Sequence, residues 1–153
     1  MENIDLRRVV DETFTNTREM VLATCIKGIP WSAVLVYGHD ADFNLYWVSN
    51  EDTRHSMEIK SNPNVAATIT MQPTGDGRDI GLQIAGQARI LEEEEVLGAA
   101  REYFAKRGTD HMPKSLEDVN KLTEGRSWYM LKPTKIFVIN EPLFGYGRVE
   151  YNL

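Results

Sequence analysis

The stretch whose residue types could do chemistry is Ser49-Asn50-Glu51-Asp52-Thr53-Arg54-His55-Ser56. A β-rich run ends there in a hydroxyl, a polar loop follows, and a helix is expected to open with Asp52 or Thr53 as its cap. A helix start gathers unpaired N–H groups and partial positive charge, so a phosphate placed there meets backbone donors first. Arg54 could grip it bidentately, His55 could donate from an imidazole nitrogen, and Ser49 could close the far side. The same residues also make an ordinary capped helix in which Arg54 answers Glu51 and Asp52, and residue types alone favour that plainer reading.

The elements that would position this stretch are mostly strands. Leu6, Val9, Val10 and Phe14 sit at helical spacing behind possible caps Asn3 and Asp5, giving a short amphipathic helix. Met20 to Ile26 and Trp31 to Tyr37 flank a Lys27-Gly28 turn as a hairpin. The turn at His39 to Asp42 then leads to a strand from Phe43 through Ser49, for three antiparallel strands in a row. Thr53 to Ser61 has helical spacing and is stopped by Asn62-Pro63. Strands are expected over Val65 to Met71 and Ile80 to Leu91, separated by a turn-rich loop from Pro73 to Asp79. Gly81 and Gly86 inside the second strand suggest a barrel bend. Glu92 to Lys106 reads as a helix with Val96, Leu97, Ala100 and Phe104 inward, and Ser115 to Leu122 as another. Ser127 to Leu131 and Lys135 to Ile139 read as two strands broken by Pro133. Short antiparallel strands with peripheral helices point to a mainly β fold, a barrel or curled sheet, in a single domain over 1–153.

Composition narrows the function classes. With 153 residues, 42% hydrophobic and 26% charged, the chain has ordinary globular make-up. Acidic residues outnumber basic ones, 23 to 17, which argues against a nucleic-acid partner. The lone Cys25 excludes an intrachain disulfide and a cysteine-based metal cluster, and mid-strand it is expected to be buried and inert. No apolar leader or membrane-length run is present, so a soluble, cytoplasmic protein is expected. His39 in a turn and His111 in a polar loop read as solvated, and the three scattered histidines make no metal site. Trp128 and Tyr129 read as core-facing aromatics, and Trp31 as core or ring cover. Phe144-Gly145-Tyr146-Gly147-Arg148 reads as ordinary terminal packing ahead of a role across a dimer seam.

From Met20 to Thr70 the order is two strands, Tyr-Trp-Val-Ser-Asn, Thr-Arg-His, then Ser-Asn-Pro-Asn-Val-Ala, and Gly86-Gln87-Ala88-Arg89-Ile90-Leu91 follows. These motifs resemble the pyridoxamine 5'-phosphate oxidase-like family of FMN-binding split barrels over residues 20–91, and more loosely the C-terminal strands. The resemblance implies a homodimeric flavoprotein with FMN at the shared interface. Its basic pair falls on Arg54 and His55 and its phosphate-side hydroxyl on Ser49. The strand beneath the flavin ring falls on Ser32, Ala33, Val34 and Leu35, with Val48 flanking and Gln83 as a further polar contact. Lysine is the commoner second member of the pair, and a histidine is a weaker fixed charge, so modest flavin affinity is expected. The Arg-, Trp- and Pro-rich C-terminal segment that holds pyridoxamine phosphate has no counterpart, so the substrate is expected to differ. The implied function is an FMN-dependent oxidoreductase taking a small-molecule substrate or nicotinamide reductant, with no catalytic side chain nominated. The alternative is a non-catalytic sensor or carrier holding flavin or haem on the same barrel.

Overall fold

Alternation of apolar and polar residues sets the strands. The computed structural model describes residues 4–72, 75–108 and 110–153. In β1 (Glu19–Ile26), Met20, Leu22 and Thr24 are buried while Glu19 and Val21 are exposed. The Lys27-Gly28 turn has φ of 51° and 77°, the left-handed pair that matches the twist of a two-residue hairpin. It leads into β2 (Ile29–Val36), which pairs antiparallel with β1 from Ile26↔Ile29 to Glu19↔Val36.

The remaining strands are β3 (Gly38–His39), β4 (Leu45–Ser49), β5 (Asn64–Thr70), β6 (Ile80–Ile90), β7 (Ser127–Asn140) and β8 (Val149–Tyr151). They form one antiparallel sheet in the order β2-β1-β5-β6-β7-β4-β3, with β8 added on β7. The two ends of that order, β2 and β3, are separated in the chain by Tyr37 alone. A sheet whose ends are joined by one residue must curl, which is the expected barrel-like architecture with helices at its periphery. The row of three strands needs correction: β4 does not pair with β2 but with the two-residue β3 on one side, through Gly38↔Tyr46 and His39↔Leu45, and along its full length with β7 on the other. Phe43 lies before β4 at φ 64°, outside the ladder.

The helices are α1 (Leu6–Thr15), α2 (Arg54–Ser61), α3 (Glu93–Lys106), α4 (Leu116–Thr123) and the single turn α5 (Glu141–Phe144). Asp5 caps α1 by accepting from the Arg8 N–H at 3.2 Å; the other cap candidate, Asn3, lies outside the described residues, as do Pro73 and Thr74 of the turn-rich loop. α1 lowers Val9, Val10 and Phe14 into the concave face, where the Phe14 ring meets Tyr37, His39 and Phe43. His39 is therefore not fully solvated: its side chain is only 12% exposed, stacked on Phe14 with centroids 5.2 Å apart. His111 is exposed as expected, while Cys25 is only half-buried.

Trp128 and Tyr129 do face apolar packing. Trp47 and Tyr129 stack in the main core at 5.6 Å, and Trp128 joins a second cluster with Ala100, Tyr103 and Phe104 of α3 and Val119 of α4. Those two helices thus cover the outer face of β4 and β7. By contrast, the outer face of β2, β1, β5 and β6 carries Val34, Val21, Thr68 and Gln83 in one register row and Ser32, Ala23, Ala66 and Ala85 in the next. No charged residue interrupts these rows, and Val34 is 66% exposed.

Pro133 does not break the last strand as expected. β7 runs unbroken because the register slips between Ala85 and Gly86: Ala85 faces Lys135 and Gly86 faces Pro133, leaving Thr134 as an extra residue. A bulge absorbs a residue that cannot donate to the ladder. Gly86 permits it, since a Cβ there would collide with the Lys132 carbonyl oxygen. In the tail, Phe144 packs against the main core, Arg148 lies over Phe137 and β8 pairs with β7, but Tyr146 between them is 96% exposed and packs on nothing among the described residues of its own chain. Gly86→Ala should lower stability by about 1–3 kcal/mol through overpacking. Gly98→Ala, in the interior of α3 with open space around it, should raise stability by up to about 1 kcal/mol. Urea unfolding of both variants checks the opposite signs.

Candidate functional site

The chain leaves β4 at Ser49 and crosses to α2 in four residues. Thr53 is the cap residue, in extended geometry at φ −69° and ψ 150°, but its side chain makes no capping bond to the helix. Its hydroxyl donates instead to the Asn50 carbonyl at 2.9 Å and lies 2.8 Å from Ser56 Oγ. The opening N–H groups of α2 therefore keep their donor capacity for a ligand, which is what an anion site at a helix start requires.

His55 Nε2 sits 2.8 Å from Ser49 Oγ and 3.2 Å from Thr53 Oγ1. The structure thus brings Ser49, Thr53 and His55 into one hydrogen-bonded knot. Burial holds the imidazole below its ordinary value of 6.5, against an opposing pull from Glu58. At pH 7 His55 is a neutral hydrogen-bonding group that orients two hydroxyls, and the charge at this helix start is carried by Arg54.

Arg54 Nε donates to Glu58 Oε1 at 2.8 Å, and its guanidinium carbon lies 4.3 Å from the centre of the Trp31 ring. Glu58 also accepts from Thr24 Oγ1 at 2.5 Å, and that bond, then Arg54, holds its carboxyl below the usual range. The carboxylate answering Arg54 is therefore one helical turn ahead, and Glu51 is occupied elsewhere, accepting from Ser127 Oγ at 2.6 Å. Among the described residues no other hydrogen bond reaches the guanidinium, so its terminal amino groups stay available on a side chain 45% exposed. The sequence alone singles out Thr53 only as a cap and gives no role to Thr24 or Glu58; the i,i+4 spacing of Arg54 and Glu58 was the available signal.

Ser32, Ala33, Val34 and Leu35 lie on β2, the end strand of the order, so alternate backbone groups there point away from β1. Ser32 and Val34 face outward, while Leu35 packs against the main core. Trp31 links this strand to Arg54. The other two residues sit apart within one chain. Val48 is on the opposite face of β4 from Ser49, packed against the cluster under α3. Gln83 lies across β1 and β5 from β2, about 14 Å away at the usual strand spacing. It accepts from Arg148 Nη1 at 2.7 Å, and that guanidinium covers Phe137.

A family model, pyridoxamine 5'-phosphate oxidase, matches residues 6–140. The chain belongs to that family. Among curated relatives, a UPF0306 protein of Enterobacter sp. (strain 638) is 34% identical over 89 residues, covering 56% of this chain. The match spans 63% of that relative's length. Among solved structures, a heme binding protein of Mycobacterium smegmatis aligns with TM-score 0.76 at 15% identity, over 99% of this chain and 60% of the other. A FAD-binding protein of Mesorhizobium loti aligns with TM-score 0.66 at 15% identity, over 87% of this chain and 92% of the other. These likenesses establish the split-barrel fold of the family. Among the described residues no helix is long and apolar enough to cross a membrane, and no group of three or more His, Cys, Asp and Glu side chains is placed to hold a metal.

The depressed His55 value has a consequence for stability. The unfolded chain binds a proton at this histidine near pH 6.5 while the folded chain resists it, so stability is present above pH 6.5 and falls as the pH drops toward the folded value. His55→Gln should flatten that dependence without abolishing it, because the largely buried His39 is shifted in the same direction. Urea midpoints at pH 7.5 and 5.5 test this, and an unaltered slope would remove His55 as a contributor.

Proposed function

We propose that the protein is a cytoplasmic flavoprotein that binds flavin mononucleotide between α2 and β2 and acts as an oxidoreductase on a small-molecule substrate or a nicotinamide reductant. The observation that carries this reading is the start of α2: uncapped N–H groups, the Ser49 hydroxyl fixed by His55, and a guanidinium with free terminal amino groups beside an unpaired strand edge. The donor set fits a phosphate monoester, which needs several N–H and O–H donors and one or more positive charges.

On this reading Arg54, Ser49 and the opening turn of α2 hold the phosphate, and His55 positions Ser49. Outward backbone groups along Ser32 to Leu35 meet the donors and acceptors of the isoalloxazine edge. When bound, the flavin supplies hydride and single-electron transfer, and the protein supplies position and electrostatics. Trp31 and Glu58 orient the guanidinium. No side chain here is assigned as acid or base.

Two adjacent rows on the outer face of β2, β1, β5 and β6 carry no charged residue and present small, polar uncharged and apolar side chains with no helix over them, which supports a two-fold homodimer. Such a partner would enclose the β2 edge and place its own residues on the flavin. Within one chain the Val48 side chain faces away from Ser49 and Gln83 is separated from β2 by β1 and β5, so contacts from Gln83 or Arg148 belong on this reading to the neighbouring copy's flavin. Flavin is favoured over haem by the two histidines packed within the fold: His39 is stacked on Phe14 and the Nε2 of His55 is engaged by hydroxyls, which leaves only the exposed His111 as a free imidazole among the described residues.

Arg54→Ala should weaken FMN binding by about 1.5–3 kcal/mol, the range for a charge-assisted hydrogen bond, with the partial exposure of the side chain placing it toward the lower end. Fluorescence titration of the apoprotein measures it, and unchanged affinity with the fold intact would take Arg54 out of the site. Ala66→Arg, on the outer face, should convert a dimer into a monomer by sedimentation and weaken FMN with it; a monomer that binds FMN as tightly as the parent would sink the shared-interface reading.

A further inference from the structure

A second cavity, of about 370 Å³, lies at the other end of β2, where the C-terminal ends of α1 and α3 converge on the Tyr37 joint. Tyr37 is six residues beyond Trp31, about 20 Å of extended strand, so this is a place distinct from the start of α2. Its lining includes Thr15, Thr17, Arg18, Tyr37, Lys106 and Arg107. Three cations thus line one cavity with no carboxylate among the lining residues, in a chain of net charge −6.

Cations at the C-terminal end of a helix ordinarily answer its dipole. Lys106 does not do so through a hydrogen bond. Its Nζ is buried, has no hydrogen-bond partner among the described residues, and lies 3.2 Å from the centre of the Tyr37 ring. The ring face offers a cation attraction but accepts no conventional hydrogen bond. The Tyr37 hydroxyl is occupied, 2.6 Å from Thr17 Oγ1 and 3.1 Å from the Phe14 carbonyl oxygen. Arg107 Nη1 donates to Tyr103 at 2.8 Å, which fixes that guanidinium beside the opening. Buried donors are rarely left without an acceptor, and a ligand oxyanion is an acceptor that Lys106 Nζ lacks.

We propose that this cavity binds the oxyanion group of a small organic phosphate or carboxylate, with Lys106 as the inner donor and Arg18 and Arg107 at its mouth. Burial pushes the Lys106 amine down to about 7. The groups that reach it are the Tyr37 ring at the joint and, through charge, His39 of β3, whose Nε2 lies 3.6 Å from Asp11 of α1. None of them is a carboxylate in contact with Nζ. An anion that needs the ammonium form therefore takes up a proton on binding above neutral pH, where the free amine is mostly deprotonated.

The test is calorimetric titration at pH 8 of the protein as purified, with sodium sulfate as the tetrahedral probe and sodium acetate as the carboxylate probe, in two buffers of different ionisation heat. The expected result is saturable binding of at least one probe with a buffer-dependent heat that reports proton uptake; the tighter probe identifies phosphate or carboxylate as the ligand class. Lys106→Met should weaken binding at least tenfold and abolish the proton uptake. Arg18→Ala, at an exposed position whose loss leaves the fold intact, should weaken binding severalfold, and Arg54→Ala should leave it unchanged. No binding of either probe, binding indifferent to both Lys106→Met and Arg18→Ala, or binding lost in Arg54→Ala would overturn the proposal. The last of these would locate the anion at α2 and leave the flavin reading standing.

Discussion

The structure turns on a single strand that serves both edges of one sheet. β2 pairs with β1 along its length, and after Tyr37 the same chain pairs as β3 with β4. Curling follows from that continuity, and with it comes an interior that α1 must fill. Tyr37 is fully buried at this joint, its hydroxyl tied to α1 through Thr17 and Phe14, and its N–H donates to the Arg18 carbonyl. Loosening the joint would free both the seat of α1 and the path of β2 toward α2. The candidate flavin site and the basic cavity sit at opposite ends of this one strand.

At α2 the arrangement separates charge from geometry. Arg54 brings the charge but shares it with Glu58, and Glu58 is itself fixed by Thr24 from β1. His55 brings geometry without charge, since burial keeps it neutral. A site built this way has a net fixed charge close to zero before a ligand arrives, because one guanidinium faces one carboxylate. Backbone N–H groups then carry a larger share of any phosphate recognition than in a site with two permanent cations.

Much of this was legible in the sequence because it is local. Ser49, Thr53, Arg54 and His55 lie within one strand-to-helix connection, and the cap, hydroxyls and cation are all visible there. Strand positions and the Lys27-Gly28 hairpin were equally legible from alternation and turn chemistry. What could not be read was pairing between distant segments. The separation of Gln83 from β2 follows from β5 and β1 lying between them, a consequence of strand order. β7 was read as two strands because Pro133 normally ends a ladder, and only the facing Gly86 shows that a bulge accommodates it. His39 was read as solvated from its place in a turn, whereas the fold of α1 over that turn largely buries it. Among the acids near Arg54, the sequence offered Glu51 and Asp52 by proximity, and helical geometry selected Glu58.

The uncharged rows on β2, β1, β5 and β6 also bear on how tightly the fold holds. If copies of the chain cover that face mutually, folding and association become one equilibrium governed by mass action. The melting temperature would then climb with protein concentration, and dilution alone would loosen β2, the strand on which both ends of the molecule depend.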